Sequence, residues 1–356
     1  FYYFLTKDDT VACTNSRLEC VTITGFYHAQ YKAVTTGLYN NVTITNCDFI
    51  GCHNLYPLAQ GEIELCAEAE VLDCGFYGHT GAVLYFNGQA NSDIFRVKGC
   101  KFLYFGRNSG AGRMTTVLNS AKGSVFAEDC EFGHLFCENY LESGTANSNY
   151  SGPLLVAFNY ANPPTVPPVM RNCRIHDIRS PRNDKTAPLV NMASGPGGAV
   201  VNCVFEDCFL GEEYSNTKTY KNTATTLIEA STVTNCTFKN CSLAYTGDAA
   251  NIIANFMIVT NGVWDTTFEN CRLESAMNYP STFVLTRNNG PVAGSCVFKN
   301  CSVTNSGIYN NSAYGVAMLI GGRAINYNSS PLKELGPVAI TGCEVYAPDM
   351  NNAVLV

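Results

Sequence analysis

The stretch Val233-Thr234-Asn235-Cys236-Thr237-Phe238-Lys239-Asn240-Cys241 decides the fold. It opens as a strand, turns at Asn235, resumes for Cys-x-Phe and turns again at Asn240 into a second, Cys-led strand. Alternation within Cys-x-Phe sends both side chains to one face. Asn, Asp and Gly are the residues that tolerate the left-handed backbone of a sharp corner.

Working outward, the same unit returns along the whole chain. It appears as Asn46-Cys47-Asp48-Phe49, Asp73-Cys74-Gly75-Phe76, Gly99-Cys100-Lys101-Phe102 and Asp129-Cys130-Glu131-Phe132. Asn172-Cys173-Arg174-Ile175, Asn202-Cys203-Val204-Phe205, Asp265-Thr266-Thr267-Phe268 and Ser295-Cys296-Val297-Phe298 continue it, and Gly342-Cys343-Glu344-Val345 reads as its last member. From Cys47 to Cys343, successive steps are 27, 26, 30, 43, 30, 33, 30, 30 and 47 residues. A second Cys stands five positions on in Cys52, Cys208, Cys241, Cys271 and Cys301. Upstream of the motif lies another apolar run, such as Val83-Leu84-Tyr85-Phe86, Leu189-Val190-Asn191-Met192, Leu227-Ile228-Glu229-Ala230 or Phe283-Val284-Leu285-Thr286.

Three short strands per repeat, with corners between them, describe one coil of a β-helix. No repeat can bury its apolar face alone, so the coils must stack. A β-sandwich also uses short strands, but has no reason to bring Cys-x-Phe back at a near-constant period. The predicted fold is therefore all-β: a right-handed, single-stranded parallel β-helix of about ten coils forming one domain over residues 1–356. The two long steps predict loop insertions near 138–170 and 305–336, where functional residues tend to sit.

These repeats resemble those of right-handed β-helix proteins in the pectate-lyase-like superfold, above all secreted and cell-surface microbial members. A narrower similarity, to polymorphic outer-membrane adhesins, rests on Gly197-Gly198-Ala199-Val200. The resemblance implies an extracellular or cell-surface location. It speaks to fold far more than to activity.

Composition narrows the function classes. Only 14% of the 356 residues are charged and the net charge is −7, with no basic stripe of the kind nucleic acid requires. No apolar run is long enough to predict a membrane span. Twenty Phe and twenty Tyr, with 46% apolar residues, argue against disorder. The Phe1-Tyr2-Tyr3-Phe4-Leu5 start without Met reads as the product of processing.

The candidate sites are few. Arg171, Arg174, His176, Asp177, Arg179, Arg182 and Lys185 form the densest charged cluster. A polysaccharide lyase needs a cationic clamp beside the uronate carboxylate and a base, so Arg174, His176 and Asp177 are its candidate catalytic set, with Arg174 and His176 alternating onto one face. The bland alternative is a solvated charged face. Lyases of the resembled superfold use acidic residues to hold calcium; Glu62/Glu64, Glu68/Glu70, Glu128/Asp129/Glu131 and Glu206/Asp207 are the acidic groups to consider. Otherwise no cofactor or metal is expected.

Adjacent coils about 4.8 Å apart lie within disulfide reach. Cys203 over Cys236, and Cys208 over Cys241, Cys271 and Cys301, are either disulfide candidates or an interior ladder of reduced thiols. Cys13 and Cys20, outside the ladder, are the expected disulfide. Sequons mark Asn41, Asn149, Asn310 and Asn328 as glycosylation candidates; Asn235, Asn240 and Asn300 also carry sequons but belong to corners. Taken together, the expectation is a non-enzymatic structural or adhesive protein that self-associates through its β-helix ends, since an open strand edge invites pairing. An extracellular glycan is the possible second partner. The alternative is a lyase or glycan-binding module acting on acidic polysaccharide.

Overall fold

The structure, a computed structural model, describes residues 15–25, 34–35, 41–51, 63–65, 68–79, 83–104, 117–136, 156–158, 163–180, 188–193, 195–210, 226–245, 255–275, 281–286, 292–305, 317–322 and 334–346. Two compact units divide the chain. The first holds Phe1–Glu138, Gly152–Ile175 and Val190–Ala199; the second holds Asn139–Ser151, His176–Leu189 and Val200–Val356. Each is a stack of parallel strands, and no helix occurs among the described residues. The fold is thus an all-β parallel β-solenoid.

In the first unit the Cys-x-Phe strands stack in register, Asp48–Ile50 on Gly75–Tyr77, then Lys101–Leu103, then Glu131–Phe136. Register aligns Phe49, Phe76, Phe102 and Phe132 in one interior column. Their rings stack at 5.1, 4.8 and 5.0 Å, tilted by no more than 6°. The second unit repeats the device with Phe205, Phe238, Phe268 and Phe298 at 4.7, 5.0 and 4.8 Å. Every ring in both columns is fully buried. Burial of each contributes about 1.5–3 kcal/mol relative to leaving it exposed.

The motif's cysteines are buried beside the rings. Each thiol lies at hydrogen-bond distance from the carbonyl two residues before it: 3.2 Å for Cys47 to Thr45, 3.2 Å for Cys74 to Leu72 and 3.1 Å for Cys130 to Glu128. A small apolar side chain with a weak donor suits this place, just past a corner that bends the backbone out of the ladder. Thr266 shows the requirement from the other side, since its hydroxyl donates to the Trp264 carbonyl at 2.9 Å.

Corners fall where the motif puts them. Asn46, Asp73, Asp129, Asn172, Asn202, Asn235, Asp265 and Ser295 all have positive φ, between 50° and 54°. A second corner stands four residues after the motif's first interior position, at Gly51, Gly78, Tyr104, His134, Asp177, Asp207, Asn240, Asn270 and Asn300. Corner amides link rungs: Asn240 donates to Asp207, Asn270 to Asn240 and Asn300 to Asn270, at 3.2, 3.3 and 3.3 Å.

The anticipated upstream runs also form strands, at Leu84–Asn87, Val190–Asn191, Ile228–Thr234 and Ser281–Thr286. Two readings shift. Gly342-Cys343-Glu344-Val345 belongs to the second Cys series, because Ser302 pairs with Glu344 and Val303 with Val345. In that coil Val338 and Ile340 take the places of Cys296 and Phe298. At the other end Ile23 precedes Phe49 in its column. The interior asks only for apolar volume, so Val and Ile fill it without the Cys-x-Phe signature. Secondly, part of each expected loop insertion is sheet. Val156–Phe158 pairs with Leu118–Ser120, and Ala317–Gly322 with Ser281–Thr286.

Candidate functional site

The charged cluster begins on strand Val169–Arg171, passes the Asn172 corner and runs along Arg174–Ser180. Alternation turns Cys173 and Ile175 inward and leaves Arg171 and Arg174 exposed. Each arginine meets a carboxylate of the preceding rung: Arg171 reaches Glu128 at 3.5 Å, and Arg174 reaches Glu131 at 3.7 Å. Register extends both pairs into columns of alternating sign. Lys98 lies beside Glu128, which lies beside Arg171; Lys101 lies beside Glu131. Nearby, Asn172 donates to Asp129 at 3.0 Å, and Lys98 lies 3.8 Å from the same carboxylate group.

Arg174 and His176, expected to alternate onto one face, differ in burial. Arg174 is exposed, whereas His176 is only 5% exposed. Its Nδ1 lies 2.8 Å from the carboxylate of Asp177, the residue that makes the corner. The imidazole is thereby tucked against its own neighbour, so two positions of equal parity differ in access. Arg179 lays its guanidinium over the Phe209 ring at 4.9 Å, a cation–π contact. Arg182 and Lys185 lie outside the described residues.

The acidic groups are distributed in the same manner. Glu70 faces Arg96 at 3.7 Å, and Glu206 faces Lys239 at 3.6 Å. In the second unit register continues the latter pair through Glu269 to Lys299, again with alternating sign. Asp207 accepts from Asn240. Glu62 is outside the described residues.

The described cysteines stand as thiols, Cys20 exposed and the ladder members buried apart from the half-buried Cys343. Cys13 lies outside the described residues. Cys241, Cys271 and Cys301 each lie 3.4–3.5 Å from a carbonyl of the preceding coil, those of Phe205, Phe238 and Phe268. Burial pushes the Cys241 and Cys271 thiols well above the ordinary range, and carries Cys296 to about 12, with Asp265 adding to the shift. A neutral, buried thiol is chemically quiet, because the thiolate is the nucleophile.

Of the sequons, Asn41 is exposed directly before strand Val42–Thr45. Asn235, Asn240 and Asn300 hold left-handed corners and spend their amides on the rung before. Asn149, Asn310 and Asn328 lie outside the described residues.

One feature escapes motif reading. In the second-corner column of the first unit, Gly51 and Gly78 are followed by Tyr104 and His134, at φ 61° and 54°. Their rings stack at 4.7 Å and 10°, and Tyr104 is 59% exposed. The legible signal is residue type: the position four after the motif cysteine is otherwise Gly, Asn or Asp.

Among the described residues, no helix is long and apolar enough to cross a membrane. No family model, no curated protein and no solved structure matches this chain.

Proposed function

We propose that the protein is a non-enzymatic structural or adhesive β-solenoid, working outside the cell or on its surface and associating with further copies through its coil ends. The observation that carries this reading is the use made of its charges. Arg171 and Arg174, the groups best suited to clamp a uronate, each sit beside a carboxylate of the neighbouring rung. A lyase site needs cations left to the substrate and a base within reach of the same pocket. Alternating-charge columns instead tie rung to rung, the need of a stacked scaffold.

Purified protein imaged by electron microscopy, alongside an assay for unsaturated product from polygalacturonate and alginate, tests the reading. Ordered end-to-end assemblies without product formation are expected. Turnover of either polymer that disappears in Arg174→Ala would replace this function with the lyase alternative.

A further inference from the structure

Among the described residues of the first unit, one outward strip is apolar where most outward columns are polar. On adjacent rungs, Ile50, Tyr77 and Leu103 share one outward column, and Gly51, Gly78 and Tyr104 share the corner beside it. Ile50 is 42% exposed and Tyr104 59% exposed, so the strip is open to solvent. Contiguous apolar surface on an otherwise polar protein calls for an explanation.

Two details show how the rings are presented. Tyr77 lies across its own strand, where Gly75 leaves room: a β-carbon at 75 would stand 2.7 Å from Tyr77 Cζ. The ring thus reaches back over Gly75 on the outer side of the sheet. Tyr104 stacks on His134 through one face. On its opposite side the corner column continues as Gly78 and Gly51, and no described side chain rises within 4 Å of where a β-carbon of either would sit. The result is an exposed ring at the end of a glycine column, beside a second ring that covers Gly75.

The backbone supplies the independent argument. A left-handed conformation at a bulky residue is a genuine outlier, and retained strain of this kind marks functional positions. Neighbouring corners show that Gly, Asn or Asp satisfies the fold at this position. Tyr104 and His134 therefore carry rings that the turn itself does not require.

We infer that Tyr77 and Tyr104 form a stacking platform for a neutral hexopyranose glycan. A pyranose ring has one C–H-rich face that packs on an aromatic ring, and an equatorial rim of hydroxyls that seeks polar partners. Asp48 flanks the platform, its Oδ1 sharing the space above Gly75 with the Tyr77 ring, and Lys101 and Glu131 stand in the same outward column. Asp48 accepts from sugar hydroxyls and disfavours a uronate, and Lys101 donates. Burial, reinforced by Asp48 and then Glu131, raises the Tyr77 phenol above its ordinary value and keeps it a neutral donor. The inference rests on the adhesive reading above and gives it a ligand class.

The test is titration of the full chain with soluble β-glucan, galactan and mannan, with polygalacturonate as the acidic comparison, read by calorimetry and by thermal melting. Binding to at least one neutral polymer, weaker for the acidic one, is expected. Tyr104→Gly should keep or raise the melting temperature while weakening binding at least tenfold; Tyr104→Asn gives the same comparison with a residue that other corners use. Tyr77→Ala should weaken binding similarly. Absence of binding to every neutral polymer overturns the inference. So does binding that survives both tyrosine substitutions, though an adhesive protein gripping through another face would then stand. Degradation of the polymer would overturn the adhesive reading instead, and loss of affinity in the variants would still support the platform.

Discussion

Truncating Phe268 to alanine probes the principle on which the second unit is built. The ring is fully buried between Phe238 at 5.0 Å and Phe298 at 4.8 Å, with Phe256 and Phe283 set edge-on at 5.9 Å each. Coil spacing is fixed by backbone hydrogen bonds, so the column cannot collapse into the space. Phe→Ala under such constraint costs about 3–5 kcal/mol, and loss of two stacks, each worth about 0.5–1.5 kcal/mol, places this site at the upper end. In a solenoid, stability is a sum of nearest-neighbour terms, so the damage falls on the coils that touch the missing ring. Urea unfolding followed by fluorescence of the sole tryptophan, Trp264, on a strand of the adjacent sheet, reads this locally. Ile340→Ala, in the same column but 37% exposed, is the comparison, at about 1–2 kcal/mol because less area is at stake. A loss below about 1.5 kcal/mol for Phe268→Ala, or one equal to that of Ile340→Ala, would refute the view that the stacked column holds the coils together.

Two further outcomes follow from the corners and the thiols. Asn240→Ala should destabilise by about 1 kcal/mol more than Asn240→Gly, since both lose the amide ladder but only alanine meets the left-handed penalty; equal unfolding midpoints would contradict this. Cys296 has a folded pKa of about 12 against an ordinary 9.0, so its contribution is complete below about pH 9 and is lost as pH rises toward 12. The slope is about 1.4 kcal/mol per pH unit for each such thiol. Melting temperature should fall across that window, less steeply in Cys296→Ala, and an unchanged slope in the variant would rule the thiol out as a cause.

Much of the architecture was legible because a coil has a period and its interior is selective. Cys, Phe and corner Asn recur where a strand must alternate and a backbone must turn left-handed, and the structure places Cys236, Phe238 and Asn240 in those roles. The motif failed where the physical demand was looser than the signature. Val338, Ile340 and Ile23 occupy the same columns with plain aliphatic side chains, so the spacing alone puts Cys343 in the first series although it stands in the second. The long steps hid strands at Val156–Phe158 and Ala317–Gly322 for a similar reason: a short apolar run gives no spacing signal of its own.

Sequence alone therefore determined the solenoid, its corners and its interior ladders, all of which arise from local alternation repeated at near-constant intervals. Only the tertiary structure decided which charges meet. Arg171 and Glu128 are 43 residues apart, as are Arg174 and Glu131, and register across coils brings them together, while His176 is buried against Asp177. The same cross-coil register set Tyr104 on His134 and next to Gly78. Partnership between rungs depends on the length of everything between them, a quantity that no motif within one rung contains.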